Sequence, residues 1–300
     1  YALVIIPNSL EKNTLLGKMP QVTAFYNSQF ILIGKLINSA ILSAHGTYVA
    51  QIETFKNLAN TRGNVKQAIG EALPISSQIS PLFNANTHYG QFLVTAVIPA
   101  MWQILIIATI VLVWAKPLQN SSLEEWLAHL NFNEELKRLT PYILIFWMQG
   151  IVYLSVFYGT LQWPMHGNWL LLILAQFFLV VACASVATLF FFITLDVTRA
   201  MSLVAGLAAP AFAFMGVTFP TTDMPLIAQL WRALLPISHY ITVQIQQVNY
   251  ATTLNHSIGS FVALITFVSG FYIAKLLVEK RQRLNSLHEV KKEIVEKGCN

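Results

Sequence analysis

The sequence predicts an α-helical polytopic membrane protein with five visible spans and a small α+β extracytoplasmic domain. Of its 300 residues, 55% are hydrophobic and only 10% are charged, whereas about 25% of the residues of an average soluble domain are charged. Five long apolar runs follow a more polar first segment. This pattern predicts an extracytoplasmic domain at residues 1–91, a transmembrane domain at residues 92–279 and a basic cytoplasmic tail at residues 280–300.

The first domain begins with a strand–helix–strand pattern. Residues 1–6 form an apolar run closed by Pro7, which is typical of a buried strand. A short helix that ends at Gly17 follows. Gln21–Asn27 then alternates its side chains as a strand does.

The remainder of this domain divides into a helical and a polar part. Residues 30–50 repeat apolar side chains near helical spacing, while Lys35 and Asn38 argue against a membrane span. The pattern favours a helix packed on the core of the domain, and a helix lying on lipid headgroups is the alternative. Residues 56–90 are polar, contain prolines and are predicted to be rich in loops.

The transmembrane domain contains five apolar runs long enough to cross a bilayer. A hydrocarbon core of about 30 Å requires roughly 20 residues of helix. Lys275 lies within the last run, where its long side chain can reach toward the membrane surface. The predicted spans are residues 92–115, 141–163, 169–195, 200–219 and 258–278.

The basic residues after the last span predict the orientation of the chain. Lys and Arg near the ends of spans mark the cytoplasmic side, and the tail is rich in both. A cytoplasmic C-terminus places residues 116–140 inside and residues 1–91 outside. Because something must carry the first domain across the membrane, we expect a further span before Tyr1, and therefore six spans in the complete protein.

Residues 121–138 (SSLEEWLAHLNFNEELKR) form a predicted cytoplasmic helix. Ser122 and Glu125 have the spacing of a capping box. The apolar stripe of this helix consists of Leu123, Trp126, Leu127 and Leu130. Such a stripe suits a helix that lies on the membrane surface or one that docks on a cytoplasmic partner, and one helix can fill both roles.

The fourth apolar run is interrupted by the sequence FPTTDMP at residues 219–225. A short amphipathic helix follows, Pro236 stops it, and a second helical piece continues to residue 250. Irregular backbone at membrane depth is tolerated only where protein or water covers it. We therefore predict a re-entrant pair of helices at residues 220–250, on the outer side of the membrane, and not another full span.

The sequence lacks the motifs of common catalytic, nucleotide and metal sites. Gly17 and Lys18 are the nearest approach to a phosphate-binding loop, but the first glycine and the hydroxyl ligand are absent. The seven histidines are scattered, and the two cysteines, Cys183 in an apolar run and Cys299 next to last, are predicted to be free thiols. We therefore predict no catalytic residue, no bound cofactor, no metal site and no nucleic-acid partner for this chain.

The predicted spans also lack the buried charges that ion-coupled carriers use as relay groups. Asp196 and Arg199 lie at a predicted cytoplasmic corner and suit a local ion pair or topology signal. This pattern favours a pump that is powered from outside its membrane domain. An ion-coupled secondary carrier is the alternative, and no convergent set of His, Asp or Cys supports a membrane-embedded enzyme.

The interrupted segment resembles a family signature. The pattern G-x-T-F-P, M-P, W and L-P-x-S-H-Y is similar to the C-terminal signature of ABC-2 type permeases, the membrane subunits of a class of ABC exporters. The stretches YALVIIPNSLEKN and FYNSQFILIGKLINSA resemble the outer domain of the subgroup with a large periplasmic domain. The signature residues are Gly216, Thr218, Phe219, Pro220, Met224, Pro225, Trp231, Leu235, Pro236, Ser238, His239 and Tyr240.

The resemblance implies a non-catalytic half-transporter in a bacterial inner membrane. It would pair with a second permease, identical or similar, and with two separate ATP-binding subunits that hold ATP and Mg²⁺. A periplasmic adaptor is a further expected partner. The charge-free spans favour hydrophobic or amphiphilic cargo, drug-like or lipid-like.

The resemblance also implies roles for particular residues. The cytoplasmic helix would couple the permease to the ATPase, and the re-entrant helices would close the outer end of the pathway. The predicted coupling residues are Leu123, Glu124, Trp126, Leu127 and Leu130. The predicted outer gate consists of Phe212, Phe214 and Phe219, with Pro220, Pro225 and Pro236 in the re-entrant turns.

Overall fold

A computed structural model describes residues 2–16, 20–60, 76–82, 88–119, 121–217 and 220–298. The chain divides into two compact units, Tyr1–Leu93 and Val94–Asn300. The structure is mostly helical, with five apolar helical stretches of membrane-spanning length and one small sheet. The predicted fold class is therefore confirmed.

The first unit is built on a three-stranded sheet with β2 in the centre. Its elements in chain order are β1 (Ala2–Ile5), α1 (Leu10–Leu15), β2 (Gln21–Asn27), α2 (Ile31–Asn60) and β3 (Ser76–Leu82). β1 is antiparallel to β2, with Ala2 opposite Tyr26. β3 is parallel to β2, with Gln21 opposite Ser76.

Two expectations for the strands are corrected. The run at residues 1–6 was expected to be a buried strand, but the side chains of β1 are exposed, because in the described structure α2 packs on β2 and β3 and not on β1. Of residues 56–90, expected to be rich in loops, the described part contains the last turn of α2 and the strand β3, and residues 61–75 and 83–87 lie outside the described residues. Pro81 is tolerated in β3 because that strand is at an edge of the sheet.

Helix α2 extends beyond the predicted helix at residues 30–50 and packs on the sheet only near its beginning. A Cβ at Gly34 would lie 3.2 Å from the Cα of Ser28. Along the helix, Leu32, Leu36, Leu42 and Tyr48 are exposed, whereas one face is half-buried, with Ile33, Ile37, Ile41 and Val49. The expected packing of this helix on the core of the domain is therefore only partial. The reason is size, because a helix of 30 residues is about 45 Å long and a strand of seven residues is about 23 Å long.

The membrane part of the chain consists of helices arranged around one central helix. These are α3 (Tyr89–Ala115), α4 (Leu123–His129), α5 (Phe132–Lys137), α6 (Thr140–Leu154), α7 (Trp169–Thr194), α8 (Val197–Ala208), α9 (Ala211–Phe214), α10 (Leu226–Ala233), α11 (Pro236–Val248), α12 (Leu254–Thr266) and α13 (Ser269–Gly298). Helix α7 packs against α6, α8, α11, α12 and α13. Its apolar residues are buried on nearly all sides, as its continuous hydrophobic sequence requires.

The described residues contain five stretches that are long and apolar enough to span a membrane. They are Tyr89–Gln119, Phe132–Thr160, Trp169–Thr194, Val197–Phe214 and Leu254–Leu287. The helix that follows α7 begins at Val197, slightly before the predicted span at residues 200–219. Asp196 caps it by accepting a hydrogen bond from the backbone amide of Arg199 at 2.7 Å, so the local contact at this corner is a helix cap.

The second and fourth stretches are irregular in the hydrogen bonding of their backbone. Helix α6 ends in a π-helical turn, Ser155–Thr160, in which the amide of Leu161 bonds to the carbonyl of Val156 at 2.8 Å. Helices α8 and α9 meet at Pro210, which cannot donate to a continuous helical ladder.

The last stretch is broken between α12 and α13. At this break the backbone makes a 3₁₀-type hydrogen bond between residues three apart, from the amide of Gly270 to the carbonyl of Phe267 at 3.0 Å. The hydroxyl of Ser185 on α7 donates to the same carbonyl at 2.6 Å. A Cβ at Gly270 would lie 2.6 Å from that hydroxyl, so glycine permits the close approach of α7 to the break.

Candidate functional site

The segment predicted to be one cytoplasmic helix at residues 121–138 forms two helices, α4 and α5. Ser122 caps α4 by accepting from the amide of Glu125 at 3.3 Å, as the capping box predicts. The backbone of Leu130 and Asn131 is extended, which ends α4 and starts α5. The single-helix prediction is therefore wrong, because an amphipathic stripe does not reveal a two-residue change of backbone direction.

Most of the apolar stripe of α4 is buried against the same chain. The ring of Trp126 stacks on Phe192 of α7, with ring centroids 6.0 Å apart. Leu127 and Leu130 are buried, and their carbonyls accept from Gln282 of α13 at 2.8 and 3.0 Å.

Two of the predicted coupling residues remain accessible in the described structure. Leu123 is 37% exposed, and Glu124 beside it is also exposed. The other three, Trp126, Leu127 and Leu130, attach α4 to α7 and α13. We call the accessible face of α4 at Leu123 and Glu124 the α4 surface.

Aromatic side chains pack α4 and α5 against the membrane helices. The indole of Trp114 stacks on Phe132 of α5, with centroids 5.7 Å apart, and meets Phe192 edge-on at 4.7 Å. Its nitrogen donates to the hydroxyl of Thr188 at 2.9 Å. The α4–α5 pair is therefore attached to the first and third membrane stretches as well as the last.

The predicted re-entrant segment forms a hairpin of α10 and α11, preceded by a turn at Thr221–Asp223. Phe212 and Phe214 lie half-buried in α9, Pro220 is buried, and Pro225 is exposed before α10. Pro236 is buried at the first turn of α11, where proline is compatible with helix formation. Phe219 lies outside the described residues.

Two signature residues hold the hairpin together. The hydroxyl of Ser238 lies within hydrogen-bond distance of the carbonyls of Arg232, at 2.6 Å, and Leu235, at 2.7 Å. The ring of His239 bonds through Nε2 to the carbonyl of Ala233 at 3.1 Å. Tyr240 points away into the helix bundle and is fully buried. The bonds of Ser238 and His239 stabilise the turn after its proline, whereas Tyr240 contributes to the packing of the helix bundle.

A polar cluster that sequence reasoning missed lies between α3, α6, α7 and α11. The hydroxyls of Tyr153 and Tyr240 are 2.7 Å apart, and the amide of Gln176 reaches Tyr240 at 3.4 Å. The ring of Tyr153 meets Trp102 edge-on, with centroids 5.4 Å apart. We use the name polar cluster for Trp102, Tyr153, Tyr158, Gln176, Tyr240 and Gln244. The available signal was the presence of glutamine in charge-free apolar runs.

A mainly apolar cleft of about 690 Å³ lies between α7, α8, the hairpin and the break of the last stretch. Leu189, Phe190 and Leu207 supply apolar walls. His239 enters it from the hairpin and approaches Phe267, with ring centroids 6.1 Å apart. The size of the cleft is within the range of small-molecule sites.

Within the described residues, no three His, Cys, Asp or Glu side chains form a potential metal site. Cys183 is buried and has no disulfide. The buried polar side chains described in Val94–Asn300 are uncharged: Gln103, Gln176, Ser185, Thr188, Ser238, Gln244, Gln247 and Ser257.

A sequence model of the family described as ABC-2 family transporter protein matches residues 1–277. A search of curated proteins and a search of solved structures found no match. Members of this family are the membrane components of transporters, and an ATP-binding subunit is their implied partner. The chain therefore belongs to the ABC-2 transporter family and is a multi-pass membrane permease.

Proposed function

We propose that this permease is a subunit of an ATP-driven exporter for hydrophobic or amphiphilic compounds, drug-like or lipid-like. Separate subunits bind ATP and Mg²⁺, and a second permease, identical or similar, completes the pathway. The complex lies in a bacterial inner membrane with the C-terminus of this chain in the cytoplasm. Residues 1–91 lie outside, where a periplasmic adaptor binds. The chain itself carries no cofactor and catalyses no reaction.

The observation that carries this proposal is the double attachment of α4. Trp126 packs α4 against α7, and Gln282 binds the end of α4 to α13. A partner that moves the α4 surface therefore displaces the ends of two membrane stretches together. In this proposal Leu123 and Glu124 contact the ATP-binding subunit, and the buried coupling residues transmit the displacement.

The uncharged interior supports ATP as the energy source over an ion gradient. Ion-coupled carriers use ionisable groups within the membrane as relays, whereas the described buried polar groups of the membrane part are amides and hydroxyls. The apolar cleft beside the hairpin is suited to hydrophobic cargo. These observations favour the exporter over the secondary carrier.

We assign the outer gate to the hairpin and the segment before it. Phe212, Phe214 and Phe219 provide apolar side chains that exclude water when the pathway is closed. Pro220, Pro225 and Pro236 restrict the turns between the short helices. The half-buried positions of Phe212 and Phe214 support a part in closure, since a modest movement of α9 changes their exposure.

The test is co-purification of the full-length permease with ATP-binding chains co-expressed from the same genome, followed by ATP hydrolysis in nanodiscs. We expect Leu123→Asp combined with Glu124→Lys to lower both bound ATPase and hydrolysis by about tenfold, because it reverses the charge and polarity of the contact. Leu287→Asp, at an exposed leucine of α13, is the control and retains both. Unchanged association in the double variant would contradict the coupling role. Failure of the wild-type permease to associate with any ATP-binding chain would contradict the exporter.

A further inference from the structure

The polar cluster contains hydrogen-bonding atoms without partners in the interior of the membrane domain. Among the described residues, they are Gln176 Oε1, Gln244 Oε1 and Trp102 Nε1, and the hydroxyl of Tyr158 lies beside Gln244, with which it makes a side-chain hydrogen bond. All four side chains are more than nine-tenths buried. A polar group buried in an apolar environment without a hydrogen bond is strongly disfavoured, so such a concentration calls for a ligand.

The orientations of the two glutamine amides are fixed by their other contacts. Gln176 Nε2 donates to the carbonyl of Gly150 at 3.0 Å, and Gln244 Nε2 donates to the carbonyl of Thr95 at 3.0 Å. A backbone carbonyl only accepts hydrogen bonds, so the nitrogen of each amide must face it. The oxygen of each amide is therefore the unpartnered atom, and the cluster offers two acceptors that require a donor.

The other polar atoms of the cluster require different chemistry. Trp102 Nε1 can only donate, and the hydroxyl of Tyr158, beside Gln244, can donate or accept. An ammonium group would satisfy the glutamine oxygens but could not accept from the indole. A carboxylate or phosphate would accept from the indole but could not donate to the glutamines. A neutral hydroxyl does both.

The absence of charge in the polar cluster points to the same ligand class. Its six residues are aromatic or amide side chains, and a charged group buried among them would have no counter-ion. The hydroxyls of an uncharged polyol headgroup need none. Water has the same hydrogen-bonding chemistry but no hydrophobic tail.

Aromatic rings connect the polar cluster to the exposed end of α6 and α7. The ring of Tyr158 meets Trp169 edge-on at 6.0 Å, and Trp169 is 39% exposed. Phe157 stacks on Trp163 at 5.2 Å. Phe157 and Tyr158 lie in the π-helical turn, a feature often found at functional sites. These rings provide apolar faces for the hydrocarbon part of an amphiphile.

We propose that the polar cluster is a binding site for the hydroxyl groups of an uncharged amphiphile. The inference rests on the proposed export of amphiphilic compounds and specifies their headgroup. The glutamine oxygens accept from the hydroxyls of the ligand, Trp102 donates to a ligand oxygen, and Tyr158 completes the contact. The hydrocarbon tail lies along the aromatic rings toward Trp169.

The test measures equilibrium binding to the full-length permease in nanodiscs without ATP. The probes share one tail and differ in headgroup: monooleoylglycerol, methyl oleate, oleic acid and oleylamine. We expect monooleoylglycerol to bind about tenfold more tightly than the other three, because only its hydroxyls satisfy both donors and acceptors. Equal binding of monooleoylglycerol and methyl oleate would overturn the proposal and leave water as the occupant. Preference for oleic acid or oleylamine would overturn it in favour of a charged headgroup.

Two variants assign the binding to the cluster. Tyr158→Phe keeps the ring and removes the hydroxyl, and Gln176→Leu removes the amide oxygen. We expect each to weaken monooleoylglycerol binding about fivefold or more and to leave methyl oleate unaffected. Tyr272→Phe removes an exposed hydroxyl from α13 and is the control. Wild-type affinity in Tyr158→Phe, which retains the packing, would contradict the assignment. Because binding is measured without the ATPase, this outcome is distinct from a failure of the permease to associate with it.

Discussion

At Gly150 the absence of a side chain allows three helices to meet. A Cβ there would lie 2.7 Å from Trp102 Cη2 and 3.1 Å from Gln176 Cδ. The carbonyl of the same residue accepts from Gln176 at 3.0 Å. One position therefore determines both the packing of α6 against α3 and α7 and the orientation of a buried amide.

We predict that Gly150→Ala destabilises the permease by about 1–3 kcal/mol, because the added methyl group must displace an indole or an amide in a packed interior. Thermal denaturation in detergent measures the effect. Gly206→Ala is the matched control, since a Cβ there meets nothing within 4 Å, and we expect it to melt at or slightly above the wild-type temperature. Equal melting temperatures for the two variants would show that Gly150 is not a packing position.

At the scale of elements, the α10–α11 hairpin depends on a histidine in its neutral form. Burial lowers the pKa of His239, the bond to the carbonyl of Ala233 opposes this effect, and the positive charge of Arg232 adds to it. The folded hairpin therefore resists protonation of this ring more than the unfolded chain does.

This shift predicts that the hairpin loses stability as the pH falls. Below about pH 6.5, the ordinary pKa of histidine, the unfolded chain binds a proton that the folded hairpin does not, so unfolding becomes more favourable. Amide hydrogen exchange of α10 and α11 should accelerate between about pH 7.5 and pH 5.5 after correction for the intrinsic rate. His239→Gln should remove this additional acceleration. An identical pH dependence in the variant and the wild type would refute the prediction.

Element by element, the sequence was informative where the signal is local. A charge-free run such as the one in α7 has to be helical in a membrane, and the cap at Ser122 depends on neighbouring residues. The stripe of α4 was ambiguous, because an apolar face has the same pattern whether it packs on its own chain or on a partner. The burial of Trp126 by Phe192 depends on a contact between distant parts of the sequence.

The polar cluster lay beyond sequence reasoning for the same physical reason. Tyr153 and Tyr240 are 87 positions apart, and their hydroxyls meet only after α6 and α11 have packed on α7. Strand β3 was missed because Ser76–Leu82 has few β-branched side chains and contains a proline. Its pairing with β2 supplies the stability that its own sequence does not suggest.

At the scale of the whole molecule, the distribution of basic residues predicts its orientation in the membrane. In a background with Cys299→Ser, the remaining native cysteine, Cys183, is buried. Cysteines introduced one at a time then show on which side of the membrane each position lies. We expect Glu11→Cys to react with a membrane-impermeant maleimide added from the periplasm, and Glu124→Cys to react only after lysis. Both parent residues are exposed, so burial does not mask the result. Labelling of Glu124→Cys in unlysed cells would show that the chain has the opposite orientation.

The break at Phe267 divides the last membrane stretch into two rods with a pivot between them. Ser185 fixes that pivot to α7, while α13 carries the attachment to α4 through Gln282 and α12 packs beside α11. A swing of α13 can therefore be absorbed at the pivot before it reaches α12. In the exporter that we propose, this independence lets one mouth of the pathway widen while the other stays shut.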